Sequence, residues 1–228
     1  MEENCNICGK INSVFSFKKV NKIHLVKCTN CKIIRIRKGS LSNKKISKYY
    51  DKYYFNNLST RGYVNYHDSE KAHTKNSKKL LGLFKNKLKN KNILDYGCSY
   101  GFLLNEAKKY SNKICGVEHS SYARQIASQK KIKVYSNEKF LIKEKKKFDF
   151  IFIIGTIEHL LDPEKVLRIF NKILKKKGIL IITTIDTKGF FPLYKLKPPE
   201  HTFYFNHNNL KILLNKCRFE ILSNRTYF

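Results

Sequence analysis

Between residues 92 and 184, short apolar runs rich in β-branched residues alternate with stretches whose apolar positions recur every three or four residues. Asn92–Tyr96, Lys113–Glu118, Ile132–Tyr135, Phe148–Ile154 and Gly178–Thr184 read as strands, each short and bounded by polar or glycine positions. Phe102–Tyr110, Tyr122–Lys130 and Pro163–Lys175 read as helices. The last is punctuated at both ends, with Asp162 as N-cap, Pro163 at the first helical position and Gly178 beyond the end. Its Val166, Phe170, Ile173 and Leu174 form one apolar face. Strands alternating with helices predict a doubly wound α/β fold: a mostly parallel sheet with helices on both faces. Upstream, Leu80, Leu81, Phe84 and Leu88 mark a helix over His73–Leu88, and Val14–Phe17 and Ile23–Val26 read as two short strands.

Four of the seven cysteines change the picture of the N-terminal part. Cys5 and Cys8 form one CxxC pair, Cys28 and Cys31 another, with 19 residues between the pairs. Each pair makes a knuckle that presents two thiolates to one ion, and four sulfurs complete the tetrahedral shell favoured by Zn²⁺. Residues 1–38 are therefore expected to form a zinc ribbon with a structural Zn²⁺, whose binding supplies folding energy that so small a core lacks. Residues 39–90, rich in Lys, Asn and Tyr, are expected to be a helical connector or lid, and 91–228 the main domain. In the connector, the cluster from Tyr49 to Phe55 is expected to pack onto its neighbour rather than to stack on bases.

Charge and composition narrow the setting. The polar start Met1–Cys5 is unlike a signal peptide, and no apolar run reaches membrane-spanning length, which places the protein in the cytoplasm without a membrane partner. The net charge is +30, carried by 40 Lys and 7 Arg. Planar recognition of phosphate favours Arg, so a diffuse Lys excess points to solubility and weak attraction of anions more than to a nucleic-acid surface.

The candidate chemistry lies where strands end. Asp95-Tyr96-Gly97-Cys98-Ser99-Tyr100-Gly101 closes the first strand of the domain and opens a helix. Its glycines allow a sharp turn and close approach of a ligand. The spacing is not GxGxxG, and Asp95 would repel a pyrophosphate; an acid before a glycine turn suits a positively charged ligand such as S-adenosylmethionine (SAM). Glu118 ends the next strand, where a carboxylate accepts both hydroxyls of a ribose. Phe148–Ile154 runs into Gly155-Thr156-Ile157-Glu158-His159, so His159 is a candidate general base, or else a histidine bonded to backbone for structure. His201, after Pro198-Pro199-Glu200, is the second candidate.

Together these residues resemble the class I SAM-dependent methyltransferases, whose fold is a Rossmann-like sheet. Asp95 to Gly101 matches the DxGxxxG loop, Glu118 the ribose acid, Phe148 to His159 the fourth-strand signature, and Lys176-Lys177-Gly178 the entry to the fifth strand. His201 to Phe205 with Leu210, Leu213, Leu214 and Phe219 resembles the family's C-terminal pattern. The CxxC pairs followed by Tyr50-Asp51-Lys52-Tyr53-Tyr54-Phe55 resemble the start of many bacterial members. The resemblance implies SAM binding by Asp95, Gly97, Cys98, Gly101, Glu118, Thr156 and Ile157, with His159 and His201 at the reacting end. It implies methyl transfer to a hydroxyl of a small acceptor, with a lean toward sugars or surface-glycan precursors; an anionic acceptor would suit the charge. The alternatives are an RNA methyltransferase and a non-catalytic SAM-binding partner protein. Ser99 stands where the loop often has glycine, and Phe219–Phe228 predicts a sixth strand that leaves little sequence for the usual seventh. The metal-binding acids of the ubiquinone-type branch are matched only at Glu158 and His159, so no catalytic metal is expected.

Overall fold

A computed structural model describes residues 3–42, 45, 49–50, 52–55, 66, 68–187 and 196–225. In chain order the strands are β1 (Val14–Val20), β2 (Ile23–Cys28), β3 (Ile34–Ile36), β4 (Ile93–Tyr96), β5 (Ile114–Val117), β6 (Val134–Tyr135), β7 (Phe148–Ile154), β8 (Leu174–Thr183) and β9 (Phe203–Tyr204). The chain forms two compact units: Lys44–Ile154 with Ile173–Ile182, and Met1–Asn43 with Gly155–Lys172 and Thr183–Phe228.

The first of these units is built on a five-stranded sheet in the order β6-β5-β4-β7-β8. The pairings β4–β5, β4–β7 and β5–β6 are parallel, with Ile93 opposite both Ile114 and Phe150. Strand order reverses on leaving β4, so the carboxyl end of β4 lies at the switch point where open α/β sheets bind ligands. All four β4 residues are buried. Ile93, Phe150 and Phe152 pack with Leu81, Leu88, Leu103, Leu104 and Ala107 from the helices Glu70–Gly82, Lys85–Leu88 and Phe102–Ala107. This is the predicted doubly wound, Rossmann-like class. A second cluster joins Tyr54, Phe55 and Tyr66 to Tyr100 and Phe102, with ring centroids of Phe55 and Tyr66 at 5.4 and 4.8 Å from Tyr100. The connector aromatics whose side chains are described thus pack against the residues flanking Gly101, as expected of them.

Several element ends differ from the sequence pattern. The helix predicted over His73–Leu88 starts at Glu70 and stops at Gly82, where glycine costs about 1 kcal/mol relative to alanine; a turn follows before Lys85–Leu88. The helix Pro163–Ile173 gives way to β8 at Leu174, four residues before the predicted strand start. Lys175–Lys177 are exposed there, and Lys175 Nζ donates to Asp149 Oδ2 at 2.8 Å across to the neighbouring β7. The strand predicted over Phe219–Phe228 does not form over 219–225; residues 226–228 lie outside the described residues. Leu222, within it, is exposed.

In the other unit β1, β2, β3 and β9 form a sheet in that order, with antiparallel pairings throughout. The two predicted ribbon strands are therefore joined by two more. Ile34 lies opposite Tyr204, and Leu25, Ile34, Ile36 and Tyr204 share a buried cluster. Asn206 caps the helix His207–Lys216 in a reciprocal box with Asn209, whose Nδ2 also donates to the Cys31 carbonyl at 3.4 Å.

Candidate functional site

In the parallel-sheet unit, the glycine loop is held against β5 by backbone bonds. Gly97 N and Cys98 N both donate to Val117 O, at 2.8 and 3.2 Å, and Gly101 N donates to Cys98 O at 2.8 Å. Gly97, Ser99 and Gly101 have φ of 77°, 47° and 74°, the left-handed region open to glycine and strained for serine by about 1–2 kcal/mol. At Gly101 a Cβ would also fall 2.9 Å from Ile132 Cδ1, so the end of that side chain would have to shift. At Gly116 of β5 a Cβ would lie 2.4 Å from Cys98 Sγ, so the Cys98 thiol packs into the core above that glycine.

Glu118 follows β5 directly. Its Oε2 accepts from Ser99 N at 3.0 Å and its Oε1 from Ser120 N at 2.8 Å. Both bonds favour the carboxylate, whereas burial pushes its pKa up. Asp95 is buried, and burial together with the Glu118 charge pushes its carboxyl up to about 7. Asp95 near the end of β4 and Glu118 just past β5, whose charge Asp95 feels, are suited to a cationic ligand with hydroxyls, the description of SAM.

In the other unit, the four N-terminal cysteines converge. Cys5 Sγ lies 3.7 Å from Cys31 Sγ and Cys8 Sγ 3.8 Å from Cys28 Sγ, and all four sulfurs lie within 4.8 Å of one another. A tetrahedral Zn²⁺ with Zn–S bonds of about 2.3 Å requires sulfurs about 3.8 Å apart, so the set fits that ion. Asn30 Nδ2 donates to Cys8 Sγ, and Ser13 Oγ is 3.4 Å from Cys28 Sγ. Cys31 pushes the Cys5 thiol down to about 5, and the same contact pushes Cys31 up.

The same unit gathers Glu158, His159 and His201. His159 Nδ1 lies 2.7 Å from the Glu200 carbonyl. A carbonyl only accepts, so Nδ1 carries the proton and the basic lone pair is on Nε2. The His201 ring stands edge-on to His159, with centroids 4.7 Å apart. Burial, with the His159 and Lys197 charges, pushes His201 down to about 3, so it is neutral near pH 7. Thr202 donates from N and Oγ1 to Glu158 O, at 2.8 and 2.9 Å, fastening the 157–160 turn to the 200–202 segment. Buried Glu158 accepts from Thr184 Oγ1 at 3.0 Å. The ligand atoms of Glu158, His159 and His201 lie within 4.8 Å of one another, near enough to share an ion.

The model of a methyltransferase domain matches residues 69–224, more than half of the chain. The chain belongs to the methyltransferase-domain family. Over 105 residues this methyltransferase-domain chain is 32% identical to the ubiquinone biosynthesis O-methyltransferase of Pelagibacter ubique, covering 43% of the chain and 44% of the relative. The chain spans about half the length of the curated relatives it matches. Among solved structures it is similar to a SAM-dependent methyltransferase from Thermotoga maritima, with a TM-score of 0.52, 24% identity and coverage of 68% of this chain and 76% of that one. Similarity to the magnesium protoporphyrin IX methyltransferase of Synechocystis, solved with bound S-adenosylhomocysteine (SAH), has a TM-score of 0.58 at 14% identity, covering 80% and 91%. These two likenesses concern the fold.

Of the residues singled out in the methyltransferase-domain sequence, Asp95, Gly97, Cys98, Gly101 and Glu118 come together in the parallel-sheet unit, and Thr156, Ile157, His159 and His201 belong to the other. Ile157 is buried, and Thr156 O accepts from His159 N at 3.0 Å. Sequence reasoning did not find the bonds of Thr184 and Thr202 to Glu158 or the packing need at Gly116. Only the last has a local signal, a glycine inside an apolar strand.

Proposed function

We propose that this chain transfers a methyl group from SAM to a hydroxyl of a small acceptor, with a structural Zn²⁺ on Cys5, Cys8, Cys28 and Cys31. The observation that carries the reading is the glycine loop tied to Glu118 in a chain of the methyltransferase-domain family. Glu118 would hold the ribose, and Asp95 with Gly97 and Gly101 would hold the cationic remainder. SAM supplies, when bound, an electrophilic methyl on a positively charged sulfur. His159, with its proton fixed on Nδ1, would take the proton of the acceptor's hydroxyl at Nε2. His201, neutral beside it, adds no competing charge. The small-molecule hydroxyl is supported by the O-methyltransferase relatives, and a sugar-linked or anionic acceptor by the resemblance and the +30 charge.

Calorimetry with SAM and SAH tests the cofactor site. Wild-type protein should bind both, and Glu118→Ala should weaken both by at least about tenfold, since charged hydrogen bonds are lost. Equal affinity in the variant would remove Glu118 from the site. Labelled methyl transfer into phenolic, sugar-phosphate and RNA acceptors then separates the acceptor classes.

A further inference from the structure

Ser99 bears two costs at one position. Its φ is 47°, where glycine would be unstrained, and its buried Oγ has no hydrogen-bond partner within the protein. Among the described residues the other buried side-chain atoms in that condition are Asn6 Oδ1 and Arg35 Nε, neither in this unit. A buried hydroxyl is expected to be bonded, so the partner is to be sought in what binds the loop.

The neighbouring bonds indicate the partner's chemistry. The amide of Ser99 is committed to Glu118 Oε2, and that of Ser120 to Oε1. The carboxylate is thus fixed by backbone and retains lone pairs for two further donors. A vicinal diol supplies those donors, but its own oxygens then need a donor in turn, which an ionised carboxylate cannot be. The Ser99 hydroxyl is a donor on the residue whose amide already touches that carboxylate.

We propose that Ser99 Oγ is a direct contact to the ribose of the bound nucleoside cofactor, donating to a diol oxygen while Glu118 accepts the diol protons. The proposal rests on the reading of Glu118 as the cofactor acid. Ser99 is accordingly a specificity residue for nucleoside ligands.

The test is calorimetry of wild type, Ser99→Ala and Ser99→Gly with SAH and with methylthioadenosine, which keeps the ribose and lacks the amino-acid end. Ser99→Ala keeps the Cβ and the strain, whereas Ser99→Gly removes both along with the hydroxyl. Each variant should lose about two- to tenfold in affinity for both ligands, the yield of one hydrogen bond. The ligand-free melting temperature of Ser99→Gly should be unchanged or higher. Unchanged affinity in either variant would overturn the proposal, because the hydroxyl would then be idle. A loss confined to SAH would also overturn it, by moving the contact to the amino-acid end. Wild-type protein that binds neither ligand would instead defeat the cofactor reading itself.

Discussion

Asp95 and His159 expose the chemistry to test at single residues. With its folded pKa raised from 3.8 to about 7, Asp95 holds a proton that the unfolded chain releases. Its contribution to stability is full below 3.8 and is lost as pH rises through 7. A cationic ligand favours the ionised form, so SAM affinity should rise between about pH 6 and about pH 8, less so for SAH, which lacks the sulfonium. Asp95→Asn should flatten that rise in calorimetry; an identical slope would assign the proton elsewhere. His159→Ala should lower turnover by about 10²–10⁴ while SAM affinity stays near the wild-type value. His201→Ala should act mainly on the KM for the acceptor. Sulfonium is a good leaving group, so a full rate in His159→Ala at saturating acceptor would show catalysis by positioning alone.

At the scale of elements the ribbon gives the sharpest measurement. Metal analysis of protein purified without chelator should find close to one zinc per chain, and chelation should lower the melting temperature of the unit containing β1, β2, β3 and β9. A zinc content near zero with that unit intact would refute the site. The cysteine pairs were visible in the sequence because each knuckle is local, and β4, β5 and β7 because strands buried on both faces read as continuous apolar runs. The strands β3 and β9 were not visible. They are three and two residues long, too short for a period, and their pairing joins Ile34 to Tyr204. Phe219–Phe228 misled in the opposite sense, since an apolar pattern announces a strand but not the neighbour it needs. The glycine loop was legible as a motif, whereas Ser99's orphaned hydroxyl depends on three-dimensional surroundings that spacing does not encode.

At the scale of the whole molecule, the Lys excess sets how the protein meets polyanions. If it is a diffuse coat, RNA binding should be weak, indifferent to sequence and steeply lost with salt, as filter binding across a salt series would read. Tight, sequence-selective binding at physiological salt would promote an RNA acceptor over a small one. Among the described residues no helix is long and apolar enough to cross a membrane. The β3–β9 pairing bears on a different matter, the order in which the chain is made. During synthesis Cys5 to Cys31 leave the ribosome before Phe203–Tyr204 are made and would take up the proposed Zn²⁺ in that interval, yet the outer edge of β3 waits for those two residues. Over that interval the ribbon therefore offers an open strand edge, the template on which nascent chains join one another. Release of a chain stalled before residue 203 should yield aggregates, while a chain that includes β9 covers that edge itself.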